Sequence, residues 1–422
     1  MNNRFVLIIA KYFSFFAFFF CLLLFWPGLM RSDSLLQMQQ GLSLLPPSDF
    51  HPPMMGFIWG LFSKIYEGPG VLFVLHLALY WGAVALFANA KKSCWVYLIA
   101  ILPPVFSYQL LVIKDVSFVN AYLFCAGWLH FYSMRKSSPN YYSVFIWFVV
   151  AFYGTCAAYQ SIIALPWLCL WFSKVCWPQK AANWIKKGIA ITGALGIAML
   201  IFNSSLTVSS HRIQHNELYD LAGISVYLNT PLFPDYIKQH KDYDFERIKK
   251  LYNPRRVDDL VFLSDTPVHI SSSPEELKAL RTAWISAIFA YPMAYFKHRW
   301  DVFYQQLTMS LLKRPGDIKE KTTPLIVEVL NWVEIAGVFS VLSLLMAYAP
   351  YFGIQLFLVY KGFRYFKSDP KYVNLFFQNI MGIALVSSLF FVASAAEARY
   401  AYLAVAMFYF SFPILKKDII NR

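Results

Sequence analysis

Long apolar runs alternate with short polar ones along most of this chain. A helix that crosses a bilayer needs about 20 mostly apolar residues. Runs of that kind occur at 8–29, 70–89, 94–112, 116–133, 141–158, 160–176, 186–203, 331–360, 373–393 and 399–415. The pattern predicts an all-α polytopic membrane protein with about ten transmembrane helices. The eighth run is too long for one straight span, and Pro350 is expected to kink or end it. Arg4 and Lys11 precede the first apolar run as they do in a signal peptide. No small-residue cleavage site follows, so the first run reads as a retained span.

The polar connections divide the chain into three parts. Residues 1–203 form an N-terminal transmembrane module of seven spans, with a first outer loop at 30–69. Residues 204–330 form a larger extracytoplasmic segment, and 331–422 a C-terminal module of three spans. Within the first loop, apolar residues Leu35, Leu36, Met38 and Leu42 set against Gln37, Gln39 and Gln40 predict a short helix at 34–45 lying on the membrane. A second short helix is expected at 53–66. The stretch 284–312 mixes aromatics with Lys and Arg and is interrupted by Pro292, which fits helices in the interfacial layer.

Composition sharpens this picture. Of the 422 residues, 58% are hydrophobic and 14% charged, against about half and a quarter in soluble domains. With the N-terminus in the cytoplasm, every short inside connection is basic. They hold Arg4 and Lys11; Lys91 and Lys92; Arg135 and Lys136; Lys174, Lys180, Lys186 and Lys187; Lys361, Arg364, Lys367 and Lys371; and Lys416, Lys417 and Arg422. That distribution follows the positive-inside rule and places both termini in the cytoplasm. It accounts for much of the net charge of +14 without a nucleic-acid partner. Most acidic residues fall in the outer segments, so the chemistry is expected on the outer face.

Ionisable groups near a bilayer are costly and are therefore candidates for function. Four places qualify. Asp33 follows the first span; it fits a helix N-terminus with no further role, or a catalytic carboxylate. In "SDFHPPMMG", Ser48 or Asp49 can cap the next helix, and His51 is either a loop residue or a hydrogen-bonding group for a phosphate or sugar. Lys114-Asp115 is an adjacent pair of opposite charges, either a solvated turn or, between its apolar flanks, a pair that needs a partner or a ligand. In "SAAEARYAYL", Glu397 and Arg399 either lock a turn or hold a phosphate, which the guanidinium matches in a bidentate manner. Tyr400 and Tyr402 fit interfacial belt aromatics or, for Tyr400, substrate contact.

This order of features resembles the GT-C class of integral-membrane glycosyltransferases, which use polyprenyl-phosphate sugars. Asp33 in "PGLMRSDSLLQMQQ" matches the acidic residue at the start of that class's first outer loop. The two short helices match its juxtamembrane helices. "DFHPP", with His51, is similar to a segment of many bacterial members, and Asp115 matches an acidic residue of the second outer loop. "E-x-R-Y", with Glu397, Arg399 and Tyr400, resembles contacts to the lipid-linked phosphate. The resemblance covers the first third of the chain and, more loosely, the last quarter. It implies Asp33 as catalytic base, with His51, Lys114, Asp115, Glu397, Arg399 and Tyr400 binding substrate or phosphate. It implies a polyprenyl-phosphate-linked sugar donor and a cell-envelope glycan or lipid-linked acceptor, at the outer face of a bacterial inner membrane.

Other patterns narrow the alternatives. All six cysteines, from Cys21 to Cys176, lie in the first seven predicted spans or at their ends, so the large outer segment has no disulfide framework. No zinc-ligand spacing, Gly-rich phosphate loop or G-x-S-x-G is present. Neither of the first two outer loops carries an Asp-x-Asp pair, so no cofactor is expected and a divalent metal has no sequence support. A polymerase or ligase of lipid-linked glycans remains an alternative. A transporter ranks third, because no repeated halves are visible.

Overall fold

The computed structural model describes residues 3–91, 93–178, 181–263, 265–309 and 347–420. Among these residues the chain is all-helical, with no β-strand. Three helices are long and apolar enough to cross a membrane: Gly70–Ala90, Ala182–Leu206 and Pro370–Val392. Shorter apolar helices cover Tyr12–Phe25, Tyr141–Ala157 and Ser161–Cys176. The chain is thus a helical protein of membrane type. It divides into two compact units: residues 1–208, 310–385 and 399–422, and residues 209–309 with 386–398.

The first unit opens with α1 (Asn3–Phe25), α2 (Ser32–Gly41), α3 (Met54–Phe62) and α4 (Gly70–Lys91). The expected span at 94–112 is broken into α5 (Trp95–Ala100), α6 (Pro103–Phe106) and a 3₁₀ turn at Ser107–Leu110. Pro103 and Pro104 cannot donate backbone hydrogen bonds, which ends the helix there. The broken segment still runs beside α1. Tyr97 meets Phe13, Phe106 meets Phe25, and Leu111 bridges Leu29.

Next come α7 (Lys114–Arg135), α8 (Tyr141–Ala157), α9 (Ser161–Cys176) and α10 (Ala181–Leu206). Helix α7 is buried on nearly every side, as expected of a helix apolar all round. It packs on α4, where a Cβ on Gly127 would lie 3.0 Å from the Ala83 carbonyl oxygen. Polar side chains inside such a bundle need partners on neighbouring helices. Asn120 Nδ2 donates to Gln109 Oε1 at 2.7 Å, and Gln109 Nε2 donates to the Tyr402 hydroxyl at 2.5 Å. The Tyr402 hydroxyl donates in turn to the Val105 carbonyl at 2.6 Å. Tyr402 is therefore a buried tie and not an interfacial aromatic.

The C-terminal helices of this part are α17 (Tyr348–Arg364), α18 (Pro370–Val392) and, after a 3₁₀ turn at Ala398–Ala401, α19 (Tyr402–Ile420). Most of the expected eighth span, residues 331–346, lies outside the described residues. Pro350 neither kinks nor ends a helix; it sits in the first turn of α17, where its missing N–H costs nothing. His130 of α7 accepts from Asn374 Nδ2 at 3.2 Å and donates from Nε2 to Gln378 Oε1 at 2.7 Å, tying α7 to α18.

The second unit contains α11 (Ile213–Leu228), α12 (Asp235–Lys238), α13 (Phe245–Leu251), α14 (Asp258–Val261), α15 (Pro274–Ala290) and α16 (Pro292–Thr308). Pro292 separates α15 from α16, and both pack on α11. Their outward residues include Phe289, Met293, Phe296 and Trp300. At its centre the fully buried Asp220 accepts from Trp284 Nε1 at 2.8 Å, His298 Nε2 at 3.0 Å and Arg299 Nη2 at 2.7 Å. Burial pushes His298 below the usual histidine range, against the pull of Asp220, and its Nδ1 is hydrogen-bonded with the Tyr252 hydroxyl at 2.7 Å. Gly223 leaves room for that ring: a Cβ there would come within 2.2 Å of His298 Nδ1.

Candidate functional site

Five of the seven residues singled out by sequence converge in the first unit: Asp33, His51, Lys114, Asp115 and Arg399. Arg399 Nη1 donates to Asp33 Oδ2 at 2.8 Å and lies 3.6 Å from Asp115 Oδ2. Lys114 Nζ donates to His51 Nδ1 at 2.7 Å and lies 3.9 Å from Asp33 Oδ2. Since an ammonium can only donate, His51 Nδ1 accepts, and the ring proton is at Nε2.

Local backbone structure brings these groups together. Between α1 and α2, Gly28 adopts φ +91°, where a side chain would be strained and would collide with Phe73 and Val112. The turn lets Leu29 pair with the segment before α7: Leu29 N–H to the Leu110 carbonyl, and Val112 N–H to the Leu29 carbonyl, each at 2.8 Å. Ser34 Oγ then donates to the Val112 carbonyl at 2.5 Å, clamping the start of α2 against the start of α7. Asp33 and Lys114-Asp115 sit in those two first turns. The N-cap of α2 is Arg31, with no side-chain cap, so Asp33 does not serve as the cap. Nor do Ser48 or Asp49 cap α3, whose N-cap is Pro53.

His51 is fixed from another direction. Asp49 N–H donates to the Val208 carbonyl at 3.0 Å, and the Tyr159 hydroxyl donates to the Asp49 carbonyl at 2.8 Å. Helices α2 and α3 cross through glycine. A Cβ on Gly41 would come within 2.2 Å of the Gly56 carbonyl oxygen, and one on Gly60 within 2.7 Å of the Gly41 oxygen. This close crossing holds the helix carrying Asp33 against the helix that follows His51. Arg399 enters from the 3₁₀ turn before α19, beside the buried Tyr402.

The electrostatics follow from this packing. Burial alone would raise the Asp33 carboxyl. Arg399 and Lys114 outweigh it and hold Asp33 well below the usual carboxylate range. Asp115 is completely buried, and Gln160 Nε2 donates to its Oδ1 at 2.7 Å. Two carboxylates thus face two cations, with the His51 ring on one of the cations. Each cation already has an anionic partner, so an incoming phosphate has to compete with a carboxylate for it.

The other two predicted residues are placed differently. Tyr400 packs under the Arg399 guanidinium, 5.4 Å from its ring centroid. Glu397 belongs to the second unit, where its N–H donates to Gln306 Oε1 at 3.0 Å and its carbonyl accepts from Gln306 Nε2 at 3.1 Å. Gln160 and Ser34 carry the site without having been singled out from sequence. Nothing in a lone Gln or Ser marks it. The glycine crossing does leave a trace, the spacing Gly56-x-x-x-Gly60. Among the described residues, no three His, Cys, Asp or Glu side chains are grouped so as to hold a metal ion.

No protein-family description, curated protein or solved structure matches this chain.

Proposed function

We propose that this chain is a membrane glycosyltransferase of GT-C type with about ten spans. It moves a sugar from a polyprenyl-phosphate donor to a cell-envelope glycan or lipid-linked acceptor at the outer face of a bacterial inner membrane. One observation carries the reading: the carboxylate at the start of the first loop and an arginine near the other end of the chain meet at 2.8 Å, with Lys114 and His51 beside them.

The reaction needs an acceptor hydroxyl, a donor phosphate and a proton acceptor in one place. The acceptor oxygen attacks the anomeric carbon, and the bond from that carbon to the phosphate oxygen breaks. Polyprenyl phosphate leaves with the electron pair. Lys114 and Arg399 stabilise its growing negative charge, in a setting drier than bulk water. Asp33 takes the acceptor proton. Paired to Arg399, Asp33 is too weak a base for that role. As Arg399 turns to the donor phosphate, Asp33 loses its strongest partner and its basicity rises. Donor binding thereby switches on the base. Without donor, the ion pair keeps the carboxylate inactive.

The test is structural analysis of surface glycan from cells with and without the protein, and with Asp33→Asn. General-base help is worth about 10²–10⁴ in rate. The expected outcome is one missing side-chain sugar in the null strain and in the variant, at unchanged protein level. Loss of chain length instead would favour the polymerase or ligase reading, and normal glycan in Asp33→Asn would remove Asp33 from the mechanism.

A further inference from the structure

Arg399 is shared by two carboxylates in unequal surroundings. The Asp33 side chain is 26% exposed and the Asp115 side chain 0%, and both face Nη1 of the one guanidinium. A phosphate that takes Arg399 has to displace a carboxylate. Which one yields decides whether the proton acceptor is freed.

The two differ in what displacement would cost. Released from Arg399, Asp33 meets water and keeps Lys114 at 3.9 Å. An ion pair in contact with water is weak, because solvent replaces the lost partner. Asp115 has neither resort. Among the described residues its Oδ2 is buried, has no hydrogen-bond partner, and lies 3.6 Å from Arg399 Nη1. Stripping the cation from a buried carboxylate leaves an uncompensated charge, which is the costly way to break such a pair.

The other oxygen of Asp115 is held by a fixed frame. Gln160 Nε2 donates to Oδ1 at 2.7 Å, and only the amide nitrogen can donate to a carboxylate. Gln160 is the N-cap of α9, and both of its neighbours are tied down. The Tyr159 hydroxyl donates to the Asp49 carbonyl at 2.8 Å, and Ser161 Oγ to the Thr155 carbonyl at 2.7 Å. With Oδ1 turned to Gln160, Oδ2 is the oxygen left for Arg399. A guanidinium has five N–H donors, so it can hold this carboxylate and a phosphate together.

We propose that Asp115, oriented by Gln160, is the lasting seat of Arg399, and that a lipid-linked phosphate displaces Asp33 alone from the guanidinium. Asp115 and Gln160 are then positioning residues that act through Arg399 without touching substrate. The inference rests on the transfer reading for its ligand. Its test reads the carboxyl groups and not turnover.

The experiment is infrared difference spectroscopy of the full chain in lipid nanodiscs, titrated from pH 8 to 4 with and without geranylgeranyl phosphate. Asp33 is faced by Arg399, Lys114 and His51, and loss of the guanidinium makes it take up a proton more readily. The probe is expected to bring a protonated-carboxyl band into this range, through a tenfold or larger rise in proton affinity. The band should vanish in Asp33→Asn; should that variant not fold, Asp33→Glu, which displaces the same band, assigns it. Gln160→Leu keeps the size and removes the donor to Asp115. There a second band, from Asp115, should join the first, because Arg399 no longer has one fixed seat. Inorganic phosphate in place of the lipid separates the sources: an equal response shows that the headgroup suffices, and none shows that the chain is needed; both support the exchange. No probe-induced band, a band that survives Asp33→Asn in the otherwise wild-type chain, or a Gln160→Leu spectrum like that of the wild type would overturn the proposal. The probe carries no sugar, so a normal surface glycan in the null strain would end the transfer reading and leave this result standing. A band from Asp115 in the wild type would end the inference and leave transfer standing.

Discussion

Arg399 Nη1 lies 2.8 Å from Asp33 Oδ2, although 366 positions separate the two residues. The same guanidinium nitrogen is 3.6 Å from the buried Asp115. A single planar cation therefore serves two carboxylates from two different helices. Lysine keeps the charge but presents no planar fork, so Arg399→Lys should lose the bidentate hold on a phosphate that the proposed mechanism requires. Transfer is expected to fall about 10-fold in Arg399→Lys and about 10²–10³-fold in Arg399→Gln, as when an oxyanion donor is removed. Surface-glycan occupancy at matched protein level measures both. Equal activity in the two variants would remove Arg399 from charge stabilisation.

The Asp33 ion pairs set a pH dependence whose sign follows from its lowered folded-state value. A carboxyl bound more tightly as its anion contributes stability above its unfolded value of about 3.9. That contribution is lost as pH falls through the lowered folded value. The stability difference between the wild type and Asp33→Asn should hence be constant from pH 8 to 5 and shrink below about pH 4. Thermal unfolding in a single detergent across that range measures it. A difference that changes between pH 6 and 8 would assign the effect to another group.

Gly41→Ala tests the crossing of α2 and α3. Alanine gains up to about 1 kcal/mol in helix propensity over glycine. Overpacking a tight contact costs about 1–3 kcal/mol. The contact here is backbone, 2.2 Å from the new Cβ, and it cannot turn aside. The clash should win, lowering the melting temperature. Gly193→Ala is the control, with nothing within 4 Å of its added Cβ, and should be neutral or stabilising.

Asp220→Ala should be the most destabilising single change in the second unit. It leaves Arg299 and His298 buried without their carboxylate. Breaking a buried ion pair from one side costs about 3–5 kcal/mol. Proteolysis of the full chain, mapped to residues 209–309, should detect local opening at temperatures where the wild type resists. Resistance equal to wild type would show that the cluster is dispensable.

The helical character and the first-loop helices were legible in the sequence, because both rest on apolar periodicity. Helix α2 starts at Ser32, two residues before its expected start, and α3 covers Met54–Phe62 of the expected 53–66. Charges against apolar flanks also marked Asp33, Lys114-Asp115 and Arg399, since burying charge is costly wherever it occurs. The break in the third apolar run was written in Pro103-Pro104 but masked by hydropathy, which averages over such residues. Partner choice was not legible. Gln160 reaches Asp115, and Tyr402 turns inward to Gln109, through tertiary packing that no local pattern encodes. The buried Asp220 draws on His298 and Arg299, 78 and 79 positions away, and that pairing carries no spacing signal.

At Gly41, Gly56 and Gly60 the seam between α2 and α3 is backbone against backbone. A push on α3 at these glycines meets the backbone of α2 directly, and Asp33 rides on the first turn of α2. The seam makes the two short helices a rigid bracket, so that whatever seats against one sets the reach of the carboxylate on the other.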